Sequence, residues 1–171
     1  MGLDAADVQA IFDGWQGTMA AVQEAVLAAG GFSWQYMESQ SPPQTTAQCE
    51  AFFGAQCRAN APMQTGATLM FWRFGNSTAN LTQPHVDLAS FLLARGPYAW
   101  LGYSWVGCSS DAEPNSSTGP YALPESTQAD YGVPVDAICA EKRPGVFSRR
   151  WTRATVSMDC NTMTPSVRML E

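Results

Sequence analysis

The chain has 171 residues, 46% of them hydrophobic and 14% charged, and its 9 basic and 15 acidic side chains give a net charge of −6. So many apolar residues, with charges well under the roughly 25% usual in soluble domains, argue against a disordered chain. The acidic balance argues against nucleic acid as a partner, which needs a broad basic field, and no run approaches the ~18 apolar residues of a membrane span.

Met1 to Asp7 carry two acids and no basic residue, so no signal peptide is visible. Val8, Ile11, Phe12, Trp15, Met19, Val22 and Val26 then recur at steps of three and four, which predicts a helix with one apolar stripe. Asp4 suits its N-cap, Asp7 its positive end, and Gly30-Gly31 its stop. Phe32 to Met37, short and aromatic, reads as a strand that Ser41-Pro42-Pro43 breaks. Thr45 or Thr46 caps a second helix reaching about Asn60. Ala67 to Phe74 is almost continuously apolar, as in a strand buried on both faces. Pro84 suits the first turn of a third helix that runs to Arg95 and ends at Gly96-Pro97. Tyr98 to Trp105 is a third strand.

From Cys108 to Asp136 the composition shifts to Pro, Ser, Thr, Asn and Gly, which predicts a long irregular stretch. Val146-Phe147, Trp151 to Met158 and Val167 to Leu170 then read as short strands joined by turns, with Pro165 near the last turn.

Five cysteines are present: Cys49, Cys57, Cys108, Cys139 and Cys160. If the second helix is unbroken, Cys49 and Cys57 lie ~12 Å apart along it, beyond the ~7 Å that a disulfide tolerates between Cα atoms, whereas a break at Gly54 would rescue their pairing. Two bridges among five cysteines can form in fifteen ways. Cys108 with Cys139, fastening the irregular stretch, is the pairing expected. Asn76, Asn80 and Asn115 each open an Asn-x-Ser/Thr glycosylation acceptor in a loop-like segment. Together these point to an oxidising compartment, extracellular or along the secretory pathway.

Helices alternating with strands make the parallel α/β pattern. Three such strands cannot close a barrel, which takes ~250 residues. The expected architecture is therefore the C-terminal part of a (β/α)8 TIM barrel, with about three parallel strands and their helices, followed by a small antiparallel β-appendage. Residues 1–107 would be the partial barrel, 108–136 the irregular loop, and 137–171 a β-segment packed on the barrel.

Three stretches carry a resemblance: Asp87 to Cys108 (DLASFLLARGPYAWLGYSWVGC), Gly31 to Gln35 (GFSWQ), and Asp130 to Pro134 (DYGVP) running on to Gly145 to Cys160 (GVFSRRWTRATVSMDC). They resemble the later helix–strand units and terminal β-segments of a group of hypothetical glycosyl-hydrolase-like TIM barrels. The resemblance implies a carbohydrate substrate, paired-carboxylate hydrolysis, and no cofactor.

That chemistry needs two carboxyl groups standing where barrel strands end. Glu38, just past the first strand, is the candidate, and the acid pair is expected on strands preceding this chain, so the chain by itself is expected to be inactive. Trp34, Gln35, Trp72, Arg73, Tyr103 and Trp105 are placed on or near strand ends as candidate substrate-binding residues. Flat aromatic faces suit a pyranose and Gln or Arg bonds its hydroxyls, although aromatics of this kind also fill cores. The rival function is a non-catalytic carbohydrate-binding or interaction protein that kept the barrel and lost the acids. A third reading is a disulfide-stapled module that folds alone.

With one histidine, His85, and no CxxC pair, no metal site is expected. Gly102-Tyr-Ser-Trp-Val-Gly107 has one residue too many for a hydrolase nucleophile elbow. Lys142, Arg143, Arg149, Arg150 and Arg153 cluster within twelve positions and read as a solvated or salt-bridged strand face. Oligomeric state is left open.

Overall fold

A computed structural model of the chain describes residues 2, 4–31, 34–38, 43, 45–64, 68–73, 84–103 and 125–170. Helix α1 spans Ala5–Ala28. The Asp4 carboxylate accepts from the backbone N–H groups of Ala6 (2.8 Å) and Asp7 (2.9 Å), while the Asp7 carboxylate accepts from the Asp4 N–H at 3.3 Å, closing a capping box. At the other end Gly30 turns left-handed (φ +74°), so its N–H reaches the Leu27 carbonyl and that of Gly31 the Val26 carbonyl. Both ends are thus satisfied locally. No residue of α1 is buried: Val8, Ile11, Phe12, Trp15, Met19 and Val22 are 37–59% exposed.

Strand β1 (Trp34–Glu38), β2 (Thr68–Arg73) and β3 (Ala99–Tyr103) pair in parallel in the order β1-β2-β3. Helix α2 (Thr46–Gln56) starts at Thr45, whose hydroxyl accepts from the Gln48 N–H at 3.2 Å, and turns Cys49 and Phe53 inward, one turn apart. Helix α3 (Pro84–Ala94) is different in kind. Every residue from Asp87 to Ala94 is buried, so it has no solvent stripe at all.

The chain then forms an antiparallel meander of β4 (Ala140–Arg143), β5 (Val146–Arg150), β6 (Ala154–Asp159) and β7 (Thr164–Met169). On β6, Ala154, Val156 and Met158 are buried while Thr155, Ser157 and Asp159 are half-buried, the period-two pattern of a sheet with one covered face. Helix α3 packs on β5, β6 and β7. Phe53 of α2 brings its ring to 5.2 Å from that of Phe147. Pro165 lies inside β7, an edge strand, where its missing N–H costs no ladder bond.

This arrangement corrects the expectation of a TIM-barrel segment. The largest sheet is antiparallel, it is no appendage, and the helices α2 and α3 cover its face rather than wrapping a parallel cylinder. The reason is physical. An antiparallel sheet with one apolar face must bury it, and the largely apolar α3 does so. Helices segregated to one face of an antiparallel sheet make a mixed α/β arrangement distinct from a barrel.

The disulfide expectation is corrected too. Cys139 bonds Cys57, not Cys108, and Cys49 bonds Cys160, with Cα–Cα separations of 4.8 and 5.5 Å. The long reach of these bridges follows from α2 lying against the sheet, so that one cysteine near each end of the helix meets a strand-flanking cysteine. Cys108 lies outside the described residues, as do Trp105 and the glycosylation acceptors Asn76, Asn80 and Asn115.

Candidate functional site

The C-terminus of α3 is met by a buried charged side chain. Its last carbonyls have no partner within the helix and carry the negative end of its dipole. The side chain of Arg149, on β5 and 2% exposed, answers both needs. One Nη of its guanidinium donates to the carbonyls of Leu93 (3.2 Å) and Arg95 (2.5 Å), and the others donate to Asp136 (3.1 Å) and Ala137 (2.6 Å). Gln64 adds a 2.8 Å bond to the Ala94 carbonyl. Burial, with the charge of Arg95 adding to it, lowers the Arg149 pKa to about 10, so it remains a cation at neutral pH. Gly96 is required here, because a Cβ would stand 1.5 Å from the Met63 carbonyl oxygen.

Beside this junction is a cavity of about 370 Å³. Leu88, Phe91, Leu92 and Arg95 contribute from α3 and its end, Ala99, Trp100 and Leu101 from β3, and Trp151 from the β5–β6 turn. The remaining wall is the segment 127–132, with Thr127, Asp130 and Tyr131. That segment follows a 3₁₀ turn at Glu125–Gln128 and is tied down by the Tyr131 hydroxyl donating to the Ser126 carbonyl. Burial raises the Tyr131 pKa, so the phenol stays protonated and able to donate.

The charges around the cavity are unevenly partnered. Asp130 is held by Arg153 at 2.6 Å, with both side chains well exposed. Asp136, outside the cavity, takes the Arg150 guanidinium and backbone N–H. The Arg150 hydrogen bonds hold its carboxyl at about 2. Arg95 instead lies against aromatic faces, 5.3 Å from the Phe91 ring centroid and 5.4 Å from that of Trp151. Burial lowers its pKa.

The backbone places the described members of the expected substrate-binding set at two ends of the parallel sheet. Trp34 and Gln35 open β1, opposite Thr68 and Leu69, whereas Trp72 and Arg73 close β2 and Tyr103 closes β3 opposite Arg73. Three to five strand residues, at ~3.3 Å each, separate the two groups. Trp34 and Gln35 are therefore at the starting end of the sheet, not the finishing end where they were expected. Glu38 pairs with Trp72 at the finishing end.

His85, in the first turn of α3, is exposed. The basic cluster divides: Arg143, Arg150 and Arg153 form surface ion pairs with Asp159, Asp136 and Asp130, while Arg149 is buried. Among the described residues no group of three His, Cys, Asp or Glu could hold a metal, and no helix is long and apolar enough to cross a membrane. The two disulfides fit an oxidising, extracellular environment.

Sequence reasoning missed the cavity because its walls come from positions 88 to 151, joined by packing rather than spacing. Trp100 and Trp151 were the available signal, as aromatics adjoining polar stretches. The chain matches no protein-family model and no curated protein sequence.

Proposed function

We propose that this chain binds a carbohydrate in the cavity between α3, β3 and the segment 127–132. The observation that carries the reading is that Trp100, Tyr131 and Trp151 share this cavity with Thr127, Asp130 and Arg95. Flat apolar rings suit the C–H face of a pyranose, and interspersed donors and acceptors suit its hydroxyls. Trp100, half exposed, is the ring that a sugar can reach first.

Binding is favoured over hydrolysis. Paired-acid cleavage requires two carboxyl groups within ~10 Å of one another on either side of the bond. Asp130 is the one acid that lines the cavity among the described residues, and Arg153 already holds it.

The test is affinity electrophoresis of the chain through gels containing soluble polysaccharides, followed by calorimetry on those that retard it. At least one glycan should retard the chain, and Trp100→Ala should weaken binding about tenfold, the worth of one stacked ring, without altering the melt. No retardation by any glycan, or retardation that Trp100→Ala leaves unchanged, overturns the reading. Release of shortened oligosaccharides would instead revive hydrolysis and turn attention to Glu38.

A further inference from the structure

Resting on that reading, we infer that the cavity is built for an acidic sugar, with Arg95 as the group that receives a uronic acid carboxylate. One donor lines the cavity without an acceptor, and a second lies buried in the wall behind it. The first is the Arg95 guanidinium, half-buried, which has aromatic faces against it but no ion pair or hydrogen bond among the described residues. The second is the indole N–H of Trp151, a residue 2% exposed, whose Nε1 is buried without a hydrogen-bond partner. A half-buried guanidinium with only ring faces against it, beside a wall that already holds one unsatisfied buried N–H, marks the place of an acceptor-rich group.

The surrounding charge has the matching sign. Arg149 also lies against Trp151, 5.3 Å from its ring centroid, so two guanidinium groups flank one indole. Arg149 spends its hydrogen bonds on carbonyls and makes no ion pair among the described residues, so its charge is met only by the helix-end dipole and, less directly, by Asp136. Of the nearby acids, Asp136 belongs to Arg150 and Asp130 to Arg153. A planar carboxylate matches the guanidinium fork, gains a charge-assisted bond in partly desolvated surroundings, and compensates the two cations at once. A neutral sugar does none of these.

The experiment uses oligogalacturonate, oligomannuronate and hyaluronan oligosaccharides, each beside its methyl-esterified or carboxyl-reduced counterpart, titrated into the whole chain by calorimetry. At least one acid should bind about tenfold more tightly than its neutral counterpart, and added NaCl should erode that advantage. Arg95→Gln should bring the ratio of acid to neutral affinity to about one, while Arg95→Lys, which keeps the charge, should keep part of the preference. Equal affinity for acid and neutral forms, or a preference that persists in Arg95→Gln, overturns the acidic-sugar assignment and leaves carbohydrate binding standing. Binding of no sugar in either form overturns both. Should Arg95→Gln fail to melt cooperatively, the salt dependence of the unaltered chain and the Arg95→Lys ratio decide the matter.

Discussion

Helices α1 and α3 resolve the same problem, the unpaired groups at a helix end, by opposite means. The 24 residues of α1 carry their own solution, an Asp4–Asp7 box at one end and a left-handed Gly30 at the other, and bury nothing. The 11 residues of α3 end differently at their C-terminus. Their last carbonyls are taken by Arg149 and Gln64, which come from other parts of the chain, and eight of the 11 residues are buried. A helix with a well-formed apolar stripe therefore stands half in solvent, while a helix without a stripe forms the centre of the core. Amphipathicity reports which face of a helix can be covered. It does not report whether anything covers it.

The contrast can be broken most severely through the bridges. Replacing Cys57 and Cys139 by Ala removes a link between positions 82 apart and should cost about 2–5 kcal/mol. Urea unfolding followed by Trp fluorescence should show that loss, while the far-UV signal of α1, which buries nothing, should fade gradually and independently of the main transition. Next comes Arg149→Leu, which leaves four carbonyls without their donor. It should cost at least about 3 kcal/mol in the same assay, and a loss under 1 kcal/mol would show that α3 does not depend on its distant cap.

Asp4→Ala should do the reverse. About 1 kcal/mol is expected, confined to α1, so amide exchange should quicken over its first turn and remain unchanged in α3.

The smallest effect sharpens the picture through pH. Asp136 is held at about 2 by Arg150, below an ordinary carboxylate near 3.9. A depressed carboxyl contributes stability that is present above the unfolded value and lost as pH falls from about 4 towards 2. The melting temperature of Asp136→Asn should lie a few degrees or less below that of the parent at neutral pH, because Arg150 is largely in water. The two melts should converge by pH 2.

The local chemistry of the chain was readable in advance. Asp4, Gly30, Thr45 and Pro84 mark helix ends because caps and breakers act within a few residues, and the helical spacing of Cys49 and Cys57 argued against their pairing. What depends on distant contacts was not readable. The strand β4, Ala-Glu-Lys-Arg, is exposed throughout and shows no alternation. Arg149 sits among four exposed basic neighbours of the same type, and only the end of α3 distinguishes it. Trp100 and Arg95 are five residues apart, yet their shared cavity needs Trp151 and Tyr131 to complete it. The short C-terminal strands read as an addition to something larger because their apolar face gives no hint of which helices cover it.

Both bridges join cysteines at or before position 57 to cysteines at or after position 139. Any single cut by a protease between those positions therefore leaves two pieces that still migrate as one species until a reductant is added. Such a chain can be nicked in the extracellular milieu without shedding either half, and its lifetime there is set by reduction as much as by cleavage.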